Sequence, residues 1–316
     1  MSTSPAVAGN VGKRSILNRL SRAFKKDKYL YIIIILPFLF YMVFRYWPMY
    51  GIIIAFKNYK VSKGIWGSTW VGFKYFNQFF ANPYSLRIIR NTVVLRLYQI
   101  VLGFPAPIVL ALLLNELRNQ KFKRFVQTTS YLPHFISLVV VCGMVVNFLA
   151  SGGILNNVIV ALGGKRFPWL MAPEWFRLIY VGSGIWQESG WASIIYLAAL
   201  SSIDPQLYEA AIIDGAGRWR RLLNITLPGI APTVTIMLLL RMGTIMTIGY
   251  QKILLLYTGA TYETADVLGT YIYRRGILGA DFSYATAVGL FQALVGIIFV
   301  VGSNSISKRI SETSLW

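Results

Sequence analysis

Six stretches of this 316-residue chain are almost wholly apolar, and clusters of polar and basic residues separate them. They fall at about residues 29–56, 91–115, 132–150, 178–200, 229–250 and 283–303. Most of them reach the roughly 20 apolar residues that cross a bilayer as a helix. None alternates apolar and polar positions as a barrel strand does. In lipid a backbone must bond to itself, so helices are the expected solution. The pattern therefore predicts an all-α integral membrane protein with six transmembrane helices and both termini on one side. Pro37 and Pro48 are expected to kink the first span, and Gly103-Phe104-Pro105-Ala106-Pro107 to interrupt the second. In the sixth, Ala285, Gly289, Ala293 and Gly296 form a small-residue stripe suited to close helix packing.

The connecting segments alternate in character. Residues 57–90, 151–177 and 251–282 are expected outside, the first as a turn plus an interfacial helix bearing Trp66, Trp70, Phe73, Phe76, Phe79 and Phe80. Glu116, Arg118, Lys121, Lys123 and Arg124 mark a short basic internal loop. Residues 1–28 carry seven basic residues against Asp27 alone, which places this tail in the cytoplasm, with Ser15–Lys28 as a basic helix on anionic lipid. No cleavage pattern follows it, so the first span is expected to be retained. The chain thus divides into a cytoplasmic tail (1–28), a first span with its external segment (29–90), a five-helix core (91–303) and a cytoplasmic C-terminal tail (304–316).

Composition agrees: 56% hydrophobic and 13% charged residues, against about a quarter charged in soluble chains. The net charge of +20 is assigned to membrane interfaces and loops, not to nucleic acid. Cys142 is the only cysteine and His134 the only histidine, which excludes an intramolecular disulfide and argues against a metal site. No GxxxxGK[ST] is present. The chain is therefore expected to bind no cofactor and to be no enzyme itself.

Residues 204–228 have the most definite local chemistry. Asp204 is placed to cap a helix starting at Pro205, Leu207, Ala210 and Ala211 share a face, and Gly215 is placed to end it. A second short helix follows, with Trp219, Leu222 and Leu223 on one face, and Pro228 is expected to close the unit. Glu209-Ala210-Ala211, Asp214-Gly215-Ala216 and Ile225, Leu227 and Pro228 resemble the EAA loop of ABC importer permeases. Tyr46–Gly51, Arg90–Thr92, Gly103–Pro107, Leu114–Glu116, Ser130–Phe135 and Ser283–Leu290 look like the LplB branch of carbohydrate ABC permeases, itself similar to maltose and alginate importer permeases.

That resemblance, which covers about residues 29–316, implies the type I importer (MetI-like) fold in the cytoplasmic (inner) membrane. It implies a heterodimer with a second permease, two ATPase subunits holding ATP and Mg, and an extracytoplasmic solute-binding protein that delivers oligo- or polysaccharide. Glu209, Ala210, Ala211, Asp214, Gly215, Ala216, Leu227 and Pro228 would form the ATPase-coupling loop. A permease for another solute, such as a sugar phosphate, and a secondary transporter are the alternative readings. Within the spans, Glu188 and Arg241 are ionisable and near mid-depth by residue count. They are expected either to pair with each other or to line the substrate cavity. Trp186, Trp191, Tyr196, Asn147, Tyr250 and Gln292 are the other cavity candidates, with packing as their alternative role.

Overall fold

The structure is a computed structural model that describes residues 28–311, with side chains through Lys308. The expected N-terminal tail, its lipid-bound helix and residues 312–316 lie outside the described residues. Two units are distinguished, one ending at Ile53 and the other beginning at Ile54, in place of the boundary expected at residue 90. In the first, α1 (Lys28–Tyr41) passes into a π-helical turn at Met42–Tyr46 and then a 3₁₀ stretch beginning at Trp47. Its Ile32–Leu36 run is exposed throughout, as in a helix meant for apolar surroundings on every side.

The second unit opens with a two-stranded ribbon, β1 (Lys57–Asn58) antiparallel to β2 (Thr69–Trp70), and then α2 (Lys74–Ala81). Trp66, Trp70, Phe73 and Phe80 are exposed as expected of an interface. Phe79 turns inward instead, onto Tyr271, Tyr284 and Phe291. The long helices follow: α3 (Ser85–Tyr98) and α4 (Pro105–Glu116), joined through a π turn; α5 (Gln120–Tyr131); α6 (Leu138–Leu149); α7 (Ile154–Ala161); and α8 (Pro173–Ser201). Then come α9 (Pro205–Ile213), α10 (Arg218–Arg221), α11 (Leu227–Gly243), α12 (Tyr250–Leu256), α13 (Leu268–Tyr273) and α14 (Phe282–Ser311).

Among the described residues five segments are long and apolar enough to cross a membrane: Lys28–Phe56, Ser85–Glu116, Leu138–Ala161, Arg218–Gly243 and Phe282–Lys308. The remaining expected span is α8. Its 29 residues give a helix of about 43 Å at 1.5 Å per residue, but Ser183, Gln187, Glu188, Ser189 and Ser193 dilute its apolar character. Such a helix is at home where protein surrounds it. Accordingly α8 packs against α4, α5, α11 and the π turn before α4, and Gln187 and Ser193 are buried. Two boundaries move: the basic loop after Glu116 contains α5, capped by the Asn119 side chain, and α14 runs on through residues 304–311, expected as tail.

The prolines act differently from simple kinks. π-helical turns at Met42–Tyr46, Gln99–Gly103 and Leu222–Thr226 sit just before Pro48, Pro105 and Pro228. A proline cannot donate to the carbonyl four residues back and its ring collides with it. In each case that carbonyl, on Phe44, Val101 or Asn224, lies in the widened turn, which relieves the clash and lets the helix continue. Pro228 therefore does not close the hairpin: Arg218–Gly243 is one continuous helical run.

That run stops at Gly243, and residues 244–249 are non-helical. Irregular backbone inside an apolar bundle needs outside partners for its freed carbonyls. Arg96 donates to the Thr244 carbonyl at 2.7 Å and to the Thr244 hydroxyl, and Gln292 Nε2 donates to the Met246 carbonyl at 2.7 Å. The small-residue stripe of α14 is used in part: a Cβ on Gly296 would stand 3.5 Å from the Gly243 carbonyl oxygen, one on Gly276 would meet Ala285 at 2.6 Å, and Gly289 faces open space.

The segment after α12 is fastened by a buried ion pair. Arg274 reaches Asp266 through two parallel bonds of 2.8 and 2.7 Å, and Thr270 donates to the same carboxylate at 2.6 Å. The Asp266 carboxylate raises the Arg274 pKa above its ordinary value, outweighing burial. Removing one partner of a buried pair leaves a stranded charge, which costs about 3–5 kcal/mol. Asp266→Ala should lower stability by about that amount in denaturant titration in micelles. Glu263→Ala, whose side chain is exposed and which contributes only its backbone carbonyl to Asn91, should change it by less than about 0.5 kcal/mol.

Candidate functional site

The 204–228 hairpin is built from caps. Asp204 accepts from the Gln206 N–H at 2.9 Å, and Pro205 occupies the first helical position, where no donor is lost. At the other end the Ala216 N–H donates to the Ala211 carbonyl at 2.8 Å and the Gly215 N–H to that of Ile212 at 3.0 Å. This is a Schellman closure, and Gly215 has the positive φ of 71° that it requires. The Tyr208 and Thr226 hydroxyls share a hydrogen bond of 3.0 Å, tying α9 to the start of the long helix. Gly229 lies so close to Ile203 that a Cβ there would sit 2.7 Å from its terminal methyl.

The hairpin is thus rigid, yet among the described residues its exposed apolar side chains meet no partner. No residue of α9 is buried; Ile213 is 86% exposed and Trp219 76%, with Leu207, Ile212 and Leu223 also exposed. Glu209, Ala210, Asp214, Gly215 and Pro228 are on the surface, and Ala211, Ala216 and Leu227 are half-buried. Trp219 and Leu223 share the outward face expected of the second helix, whereas Leu222 is half-buried.

The second site is a cavity of about 100 Å³ between the π turn at Gln99–Gly103, α4, α8 and α11, lined among others by Gln99, Tyr180, Glu188, Ser189 and Arg241. Glu188 and Arg241 share it but do not pair. Glu188 Oε2 lies 2.9 Å from His134 Nδ1. The reason is the close approach of α8 to residues 130–136. A Cβ on Gly190 would stand 1.9 Å from the Ser130 carbonyl oxygen, and Gln187 donates to the Ile136 carbonyl. The His134 ring then stacks on Trp191, centroids 4.7 Å apart and planes 1° from parallel. Arg241 is in the last turn of α11, at a helix end and not mid-helix, where the C-terminal carbonyls favour its charge.

The other candidates disperse. Trp191 adjoins Glu188 through His134, but Trp186 faces the opposite side of α8, in an apolar groove of about 430 Å³ with Met144, Phe148 and Leu178. Tyr196 is buried in the core with Ala111, Leu200 and Ile230. Asn147 lines a separate recess beside Gly152 and Gly153. Tyr250 stacks on Tyr273, and Gln292 caps the broken helix.

Sequence reasoning passed over two buried cations and a histidine. Arg96 is buried and bonds Gln99 Oε1 at 2.9 Å. Lys252 is only 8% exposed, with its Nζ 5.1 Å from the Tyr180 ring centroid. His134 completes the Glu188 contact. Arg96 was legible as a lone charge within a span, whereas Lys252 was counted as part of an external segment that folds back inside. No group of three or more metal-ligating side chains is present among the described residues.

Residues 89–312 match the family described as the binding-protein-dependent transport system inner membrane component. Protein LplB of Bacillus subtilis (strain 168) is 44% identical over 295 residues, 93% of each chain. The polygalacturonan/rhamnogalacturonan transport system permease protein YteP of the same organism is 42% identical over 314 residues, 99% of this chain and 98% of that one. A chain in the crystal structure of a bacterial ABC transporter involved in the import of the acidic polysaccharide alginate superposes with a TM-score of 0.86 at 44% identity, over 93% of this chain and 99% of its own. In that of the bacterial alginate ABC transporter in complex with alginate pentasaccharide-bound periplasmic protein, the TM-score is 0.87 at 44% identity, over 94% and 100%.

Gly190 decides whether α8 can reach the His134 turn. Gly190→Ala should destabilise the fold by about 1–3 kcal/mol, the ordinary cost of overpacking. It should also shift tryptophan emission as the Trp191–His134 stack opens. Gly182→Ala, on the same helix where nothing lies within 4 Å, should do neither.

Proposed function

Because this chain belongs to the family of binding-protein-dependent transport system inner membrane components, we propose that it is the permease subunit of an ATP-driven importer of oligo- or polysaccharides. The observation that carries the reading is the hairpin at 204–228, a rigid double-capped element with unpartnered apolar side chains. The names of its relatives support the cargo class: one is a polygalacturonan/rhamnogalacturonan permease and one belongs to an alginate importer.

The permease pairs with a second, homologous permease. Two ATPase subunits seat the hairpins, and they carry the ATP and Mg for which this chain has no motif. A solute-binding protein delivers the saccharide on the opposite face. The hairpin and both termini lie on the cytoplasmic side.

The helix from Arg218 to Gly243 gives the coupling a physical form. Its 26 residues make a lever of about 39 Å. One end is pinned to the hairpin through Tyr208–Thr226, and the other carries Arg241 at the cavity. Closure of the ATPases moves the docked end. A helix held by interlocked side chains transmits that movement instead of absorbing it. The cavity's volume is well below the roughly 300–1,000 Å³ of pockets enclosing a whole small ligand. The complete substrate path therefore requires the second permease.

Glu209→Lys and Gly215→Val should each lower uptake in proteoliposomes containing the whole importer by at least about tenfold. Gly215→Val forces a β-branched residue to positive φ, a strain of about 1–3 kcal/mol, and should also reduce recovery of the ATPase with the permease. Normal uptake and assembly in both variants would refute the coupling role. Saccharide uptake by the lone chain in ATP-free vesicles would refute the importer.

A further inference from the structure

We propose that the cavity between the π turn at Gln99–Gly103, α4, α8 and α11 is a carboxylate pocket, gripped by Arg241 and Lys252, that selects anionic saccharide units; the inference rests on the transport reading and specifies its cargo. The first support is an imbalance of charge. Arg241 lines the cavity directly. Lys252 flanks it: its Nζ packs over the ring of Tyr180 and would lie 3.4 Å from a Cβ on Gly184, and both of those residues are cavity walls. Arg96 stands behind Gln99, another wall residue. Three cations thus gather here, Arg241 and Lys252 from either side of the break after Gly243 and Arg96 from far earlier in the chain.

Among the described residues the one carboxylate that lines the cavity, Glu188, is already engaged by His134. Among the described residues, the ion pairs are those of Glu188, Asp266 and Asp281, so neither Arg241 nor Lys252 has a carboxylate within 4 Å. Excess positive charge inside an apolar bundle is costly unless an anion arrives to offset it. Sites for a neutral sugar have no need of that cost.

Size narrows the ligand further. At about 100 Å³ the cavity takes a substituent and not a whole ring. A carboxylate projecting from a uronic acid unit fits that description, with the sugar ring left outside. The polar walls suit it too: the guanidinium of Arg241 offers paired N–H donors to carboxylate oxygens, and the Tyr180, Ser189 and Gln99 side chains supply neutral donors. Room for it depends on Gly184, since any side chain there points at the Lys252 ammonium.

The test is the thermal unfolding midpoint of the purified complex with its ATPase subunits, titrated with sodium glucuronate and separately with glucose at equal ionic strength. Glucuronate should raise the midpoint and glucose should not. Arg241→Gln, Lys252→Met and Gly184→Val should each weaken the glucuronate response at least about tenfold, the loss expected for one charge-assisted contact. Arg241→Lys, which keeps the charge and loses the paired donors, should retain only part of it. Should Arg241→Gln fail to assemble, Lys252→Met and Gly184→Val carry the same comparison. An equal response to both sugars, no response to either, or an undiminished response in the neutral variants would overturn the pocket. Import of saccharide without any glucuronate response refutes the pocket alone, whereas a glucuronate response lost in these variants without any import refutes only the transport reading.

Discussion

A helix that ends inside an apolar bundle leaves carbonyl groups with no solvent to receive them, and this protein is arranged around one such end. At Gly243 the helical run from Arg218 stops, and Arg96 and Gln292 reach from α3 and α14 to satisfy the Thr244 and Met246 carbonyls. Those two side chains hold the bundle in register at the depth where the chain is most polar. The same break lets α12 fold back toward α6 and α8, which brings Lys252 inside. A structural necessity and a concentration of charge therefore share one place.

The central helix α8 answers the complementary problem. Its polar residues would be expensive in lipid, and Ser183, Gln187 and Ser193 are buried against protein while other faces meet different neighbours. Gln187, Gly190 and Trp191 grip the turn at 130–136; Tyr180, Gly184 and Glu188 form a cavity wall; Gly182 and Trp186 border the apolar groove against α6. One helix thus sets the distances between features that lie far apart in the chain.

The hairpin and the cavity stand at opposite ends of the Arg218–Gly243 run, and the π turn at Leu222–Thr226 keeps that run unbroken despite Pro228. A proline kink at this point would make a hinge, which dissipates a push. A widened turn preserves the hydrogen-bonded column while accommodating the ring. The caps of α9 serve the same end, because a frayed hairpin would yield under load.

Much of this was determined by the sequence alone. The apolar runs set the approximate extent of five of the spans, and Asp204, Pro205 and Gly215 set the ends of α9, because caps and spans arise from interactions between residues close in the chain. Partnerships across the chain were decided only by tertiary structure. Glu188 and Arg241 looked like a pair by residue count, yet Gly190 admits the Ser130–His134 turn so closely that His134 takes the carboxylate. Gln292, a cavity candidate with packing as its alternative, caps a carbonyl freed by a break that no local signal announced. Lys252 looked external, and only the fold-back after Gly243 buries it. Depth and pairing depend on which backbones approach closely enough to touch, and that is settled by the packing of the whole bundle.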